Sequence, residues 1–243
     1  MAACLADGIT IINNAAREPE IQDLVDFLNK AGAQITGAGS PSIQIKGVPE
    51  LMGVEHAVIP DRIEVATLLC CGLITKGDVT VSSANLSHLD PLPEVLAEMG
   101  VGLTQTAEGI RAEYRPFGGA HLETRPFPGF PTDMQAQMMA LTSLANGTSI
   151  IQENIFENRF MHADELKRMG ADIRVNRHEA IIQGVDQLSG AEVKITDLRA
   201  GAALIMAGLA ASGYTTVHGL KHLHRGYENL TEKLRSLGAC ILD

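Results

Sequence analysis

At 243 residues, 45% hydrophobic and only 4% aromatic, the chain has room for one large domain, or a domain and part of another, around a core of aliphatic and small residues. A formal charge of -10 and the lack of a Lys/Arg stripe argue against a nucleic-acid partner, although a few arginines can still form a local anion pocket. No apolar stretch is long enough to span a bilayer and no basic leader precedes a signal-like segment, so no membrane partner and a cytoplasmic location are expected.

Taken in chain order, the elements repeat. The β-rich run after Gly8 is followed by a half-polar helix over Glu20 to Lys30, which stops at Gly32, and by the alternating strand Ser42-Ile-Gln-Ile-Lys. Asp61-Arg-Ile-Glu then opens a helix that is apolar nearly all round, Gly77 leads into a strand, and a helix over Pro91 to Met99 ends at Gly100. Thr132-Asp-Met-Gln, Gly147, the helix over Ala163 to Met169 and Gly170 repeat that order, followed by the strand Glu179-Ala-Ile-Ile-Gln. Thr196-Asp-Leu-Arg, Gly213, a helix over Tyr227 to Leu237 and Gly238 repeat it again. Two glycine series keeping one period of roughly seventy residues point to a true internal repeat of the form helix, strand, helix, strand, strand.

Residues 1 to about 53 read as the second half of one unit, about 54 to 123 and 124 to 190 as complete units, and 191 to 243 as a unit without its closing hairpin. Repeats need neighbours to bury their faces, so another chain or an unusual terminal arrangement is expected to complete the last unit. Buried apolar helices, strands around them and polar helices outside define an α/β architecture, without the strand-GxGxxG-helix order of a dinucleotide fold.

Polar chemistry has four candidates. Asp133 starts a buried helix, where a carboxylate either removes a proton from a hydroxyl or simply caps the helix. Arg159, Arg199 and Arg225 come from three segments and could converge on phosphate or carboxylate groups through their forked donors, although each alone reads equally as an ion-pair residue. His222 and His224 form an HxH pair without a third ligand, so no metal is expected. Cys4, Cys70, Cys71 and Cys240 lack disulfide or metal spacing, and the adjacent pair reads as buried reduced thiols.

Six segments in order carry a family resemblance: Asn14-Ala-Ala-Arg-Glu-Pro-Glu, Ile59-Pro-Asp-Arg-Ile-Glu, Phe130-Pro-Thr-Asp-Met-Gln-Ala-Gln, Glu157-Asn-Arg-Phe-Met-His, Thr196-Asp-Leu-Arg-Ala and Arg225-Gly-Tyr-Glu. With these the chain resembles the enolpyruvyl transferases of the UDP-N-acetylglucosamine 1-carboxyvinyltransferase kind. The resemblance implies an inside-out α/β barrel of βαβαββ units, three around a pseudo-threefold axis in each of two domains. Residues 1–53 would be the C-terminal part of the first domain, and 54–243 the second domain lacking its N-terminal closing strand.

It further implies a cofactor-free reaction in the first committed step of peptidoglycan precursor synthesis. Phosphoenolpyruvate gives its enolpyruvyl group to the 3-hydroxyl of UDP-N-acetylglucosamine by addition and elimination, and phosphate leaves. By the resemblance Asp133 handles the hydroxyl proton, Ile155 contacts the nucleotide sugar, Arg225 binds phosphoenolpyruvate, and Arg159 and Arg199 line the cleft. The chain departs from the family in having no Lys-Asn pair and no loop bearing an acid followed by arginine, and in having His224 where aspartate is usual. A missing N-terminal segment or complementary chain is therefore expected to be needed for turnover.

Overall fold

The first strand, β1 (Ile9–Asn13), is followed by helix α1 (Pro19–Lys30) and strands β2 (Gln34–Thr36) and β3 (Ser42–Lys46), and the three strands form an antiparallel sheet in the order β1-β3-β2. In β3 the side chains alternate, with Ile43 and Ile45 buried and Ser42, Gln44 and Lys46 exposed. The apolar stripe of α1 places Val25 and Leu28 in one small core with Cys4, Ile35, Ile43 and Ile45. These elements belong to one compact unit, Met1–Pro60 with Pro126–Pro128, in a computed structural model that describes residues 1–242.

The second unit, Asp61–Arg125 and the residues from Gly129 onward, contains three successive runs of elements, the third without closing strands among the described residues. The first is α2 (Arg62–Ile74), β4 (Asp78–Ser82), α3 (Leu92–Glu98), β5 (Leu103–Gln105) and β6 (Gly109–Glu113). The second is β7 (His121–Glu123), α4 (Gln135–Thr142), β8 (Thr148–Gln152), α5 (His162–Arg168), β9 (Asp172–Asn176) and β10 (Glu179–Gln183). The third is β11 (Glu192–Lys194), α6 (Leu198–Ala210), β12 (Thr216–His218) and α7 (Leu230–Ser236).

The sheets repeat as well. β4-β6-β5 and β8-β10-β9 are antiparallel in the same order as β1-β3-β2, and β7 adds to β8 in parallel, as β11 does to β12. The helices that are apolar on all sides, α2, α4 and α6, pack against one another in the main core. Small residues such as Ala202, Ala203 and Ala207 let α6 lie close to its neighbours.

The helix-ending glycines take the expected left-handed conformation, with φ of 104° at Gly32, 93° at Gly100 and Gly170, and 98° at Gly238. Each closes a Schellman turn. At Gly170, for example, the Gly170 N–H bonds the Lys167 carbonyl at 2.9 Å and the Ala171 N–H bonds the Leu166 carbonyl at 3.1 Å. α2 ends the same way, but its left-handed residue is Lys76, at φ 59°, with the Gly77 N–H reaching the Gly72 carbonyl at 2.8 Å. The last helix is shorter than its sequence suggests. It begins at Leu230, after Asn229 at φ 50°, and leaves Tyr227 in the preceding turn with its side chain buried.

Candidate functional site

Three aspartates stand at the starts of α2, α4 and α6, and two of them cap. Asp61 accepts the N–H groups of Ile63 at 2.8 Å and Glu64 at 3.3 Å, and Asp197 those of Arg199 at 3.0 Å and Ala200 at 2.9 Å. Asp133 caps nothing. It lies in a 3-10 turn, Thr132–Met134, and α4 begins only at Gln135 without a side-chain cap. Its carboxylate is instead divided between two guanidinium groups, with Oδ1 2.7 Å from Arg159 Nη2 and Oδ2 3.0 Å from Arg199 Nη2. The capping alternative for Asp133 is thereby corrected, because the arginines take both oxygens.

Each arginine has further supports. Arg159 lies between β8 and α5, donates from Nη1 to Thr132 Oγ1 at 2.7 Å, and stacks over the Phe156 ring at 4.8 Å. Arg199, in the first turn of α6, lies 5.6 Å over the Tyr227 ring, and its Nη1 is buried without a hydrogen-bond partner. Tyr227 is anchored from below. Thr67 Oγ1 donates to the Ile63 carbonyl at 2.7 Å, so it accepts from the Tyr227 hydroxyl at 3.1 Å and from Gln137 Nε2 at 3.1 Å.

Burial alone would raise the pKa of Asp133, but the charges of Arg199 and Arg159 and their hydrogen bonds outweigh it and hold the carboxyl below the usual range. Burial opposes the charge on Arg199, yet Tyr227 and Asp133 more than offset this and raise its pKa. Burial pushes Tyr227 up, so its phenol stays protonated. His162, buried at the start of α5, is pushed down to about 4, chiefly by burial and against the pull of Asp197.

Of the residues singled out in the sequence, the structure brings together Asp133, Arg159 and Arg199. Ile155 is close by in the chain, its N–H on Glu153 Oε1 at 2.9 Å and its side chain partly exposed. Arg225 stands apart. It ends the 3-10 turn Leu220–Arg225, is exposed, and lines an open depression with His224, Tyr227, Glu228 and Asn229. No hydrogen bond or ion pair joins it to Asp133, Arg159 or Arg199. Cys70 and Cys71 are buried thiols whose burial raises both pKa values, that of Cys71 to about 12. Among the described residues no group of three His, Cys, Asp or Glu side chains could hold a metal ion, and no helix is long and apolar enough to cross a membrane.

Sequence reading missed Glu153. It follows the apolar strand β8 and is fully buried, and the bare sequence offers no sign of the hydrogen bonds that hold it. Tyr227 falls at the first position of a surface helix predicted from the sequence, and only its buried position reveals the support it gives Arg199.

The site thus sets one carboxylate between two guanidinium groups in an α/β fold of the enolpyruvyl transferase class. Residues 1–234 match the family model described as EPSP synthase (3-phosphoshikimate 1-carboxyvinyltransferase), and the chain belongs to that family. Relatives described as UDP-N-acetylglucosamine 1-carboxyvinyltransferase 1 are 53% identical over 242 residues in Caldanaerobacter subterraneus subsp. tengcongensis and 55% identical over 242 residues in Staphylococcus epidermidis. Each match covers 99% of this chain, which spans 58% of the length of those relatives.

Among solved structures, the enolpyruvyl transferase NikO from Streptomyces tendae superposes with a TM-score of 0.87 at 30% identity, over 98% of this chain and 57% of that one. EPSP synthase from Acinetobacter baumannii superposes with a TM-score of 0.76 at 23% identity, over 97% of this chain and 57% of that one, and supports the fold alone.

Proposed function

We propose that the protein serves the transfer of an enolpyruvyl group from phosphoenolpyruvate to the 3-hydroxyl of UDP-N-acetylglucosamine, with release of phosphate. The observation that carries the reading is the Asp133 carboxylate shared by Arg159 and Arg199, in a chain 53% and 55% identical to proteins described by that activity. In the addition step the sugar oxygen bonds to C2 of phosphoenolpyruvate, C3 gains a proton and the hydroxyl loses one. In the elimination step the C2–O bond to phosphate breaks and C3 gives up a proton. Asp133 is the group we assign to the hydroxyl proton.

A carboxylate held by two guanidinium groups is ionised but a weak base. Anionic groups of the substrates would compete for Arg159 and Arg199, and each arginine so drawn away would raise the basicity of Asp133. Arg225, exposed on the rim of its depression, is assigned to phosphoenolpyruvate, and Ile155 to the nucleotide sugar. His224 precedes Arg225 at the position where the family usually has aspartate.

The same reading gives the finer architecture: three βαβαββ units around a pseudo-threefold axis in an inside-out α/β barrel. Within the second unit, the shared antiparallel order of β4-β6-β5 and β8-β10-β9, the parallel pairs β7-β8 and β11-β12, and the mutual packing of α2, α4 and α6 support it. Residues 1–53 are assigned to the end of one transferase domain and 54–243 to the second. On this reading the product belongs to peptidoglycan precursor synthesis, and the protein is assigned to the cytoplasm.

The test uses the protein as its gene encodes it, with phosphoenolpyruvate and either UDP-N-acetylglucosamine or 3-phosphoshikimate. Phosphate release is followed together with the mass of the acceptor. Release that depends on the UDP-sugar, with a matching gain in acceptor mass, is expected. Release only with 3-phosphoshikimate would overturn the choice of substrate, and release with neither would overturn the reaction.

A further inference from the structure

The carboxylate of Glu153 is fully buried and accepts four hydrogen bonds, all from within the second unit. Oε1 accepts from Thr124 Oγ1 at 2.8 Å, Ile155 N at 2.9 Å and Phe156 N at 3.1 Å, and Oε2 accepts from Thr132 Oγ1 at 2.8 Å. Its own N–H is fixed to the His178 carbonyl at 2.7 Å, so its place at the end of β8 is set by the sheet. A buried carboxylate so surrounded needs no opposite charge, because four donors replace its hydration.

Those four bonds meet at Arg159. Thr132 has one hydroxyl proton, and with Glu153 ionised that proton goes to Oε2. The lone pairs of Thr132 Oγ1 are thereby turned to Arg159 Nη1, 2.7 Å away. The Phe156 backbone bonded to Oε1 carries the ring that lies 4.8 Å under the same guanidinium. One face and one edge of Arg159 are thus set by groups that Glu153 holds, and the guanidinium so placed presents Nη2 to Asp133 Oδ1 at 2.7 Å.

We propose that Glu153 is a positioning residue, which orients the Arg159 guanidinium against Asp133 through the Thr132 hydroxyl and the Phe156 ring. It acts without touching the reacting groups. Its importance for turnover rests on the function proposed above, whereas its control of the Arg159–Asp133 pair does not.

Glu153→Gln separates this role from its alternatives. The amide keeps an acceptor at the Oε1 position but puts an N–H where Thr132 needs an acceptor. Thr132 Oγ1 can still accept from both the amide and Arg159, but its own proton loses the carboxylate that polarised the hydroxyl, and the bond to Arg159 weakens. The Asp133 carboxyl is titrated by carbon NMR in the wild type and the variant, with the fold checked by the thermal midpoint. Loss of the Arg159 contact raises the Asp133 pKa toward the ordinary value near ~3.9. Mere removal of a neighbouring negative charge would lower it instead, so the sign decides.

A rise in the folded variant is the expected result, and an unmoved or lowered value overturns the proposal. Should Glu153→Gln fail to fold, Thr132→Val removes the link itself and is judged by the same sign. If the protein turns over, kcat/KM in Glu153→Gln falls roughly 10- to 100-fold, and the double variant with Thr132→Val is no worse than the poorer single one. A protein that shows no turnover leaves the titration to decide alone.

Discussion

Asp133 and Asp197 occupy the same place in successive repeats, yet Asp197 caps its helix while Asp133 binds two arginines. The two meet at Arg199, whose backbone N–H donates to Asp197 and whose guanidinium donates to Asp133. The later aspartate caps its helix, whereas the earlier one gives its carboxylate to a charged cluster. The start of α6 thereby fixes the base of the Arg199 side chain while its tip reaches across to Asp133.

The first prediction separates those two uses. Asp197→Ala removes a cap from α6 and is expected to cost about 1 kcal/mol in urea unfolding. Asp133→Asn removes no cap and keeps the shape of the side chain, and under the proposed function it is expected to lower enolpyruvyl transfer by about 10²- to 10⁴-fold, the usual reach of proton transfer by a positioned group. Equal loss of activity in both variants would leave Asp133 without a special role.

The second concerns acid. The folded Asp133 has a pKa below its ordinary value, so its contribution to stability is present above about pH 4 and is lost as the pH falls through the folded value. Asp133→Asn should therefore show a shallower fall in urea midpoint below about pH 4 than the wild type. Parallel curves would mean that the two arginines do not favour the ionised form in solution.

The third concerns His162, which lies in the next window up. Its side chain is buried and its pKa is lowered to about 4, below an unfolded value near ~6.5. Between those values the unfolded chain binds the extra proton, so stability rises with pH across the window, by on the order of 3 kcal/mol. His162→Leu should flatten the stability curve from about pH 4 to 6.5, measured by urea midpoint. A slope unchanged by the substitution would show that another group titrates there.

Much of this was legible in the sequence because a repeat multiplies each signal. The glycines at helix ends and the alternating strand Ser42–Lys46 mark local conformations that depend on a few neighbouring residues. Asp133, Arg159 and Arg199 could be picked out as candidates, and their side chains meet in the structure. Glu153 and Tyr227 were not legible. Their roles depend on partners far along the chain, as with Glu153 and Thr124 or Tyr227 and Thr67, and on burial that only the packed structure creates. Lys76 was not legible either: it takes the left-handed position, at φ 59°, immediately before Gly77.

That lysine supports the last prediction. Lys76 and Gly170 play the same part, each the left-handed residue of a Schellman turn, at φ 59° and 93°. For an L-residue with a Cβ that conformation costs roughly 1–2 kcal/mol, whereas glycine adopts it freely but loses more entropy on folding. A Cβ at Gly170 would meet no atom within 4 Å, so Gly170→Ala isolates the backbone cost, and about 1 kcal/mol of stability should be lost. Lys76→Gly runs the exchange the other way at an exposed position and should gain up to about 1 kcal/mol. Urea midpoints of the two variants should therefore move in opposite directions. A loss in both would mean that the Lys76 side chain supports the end of α2 by contacts that outweigh its backbone conformation.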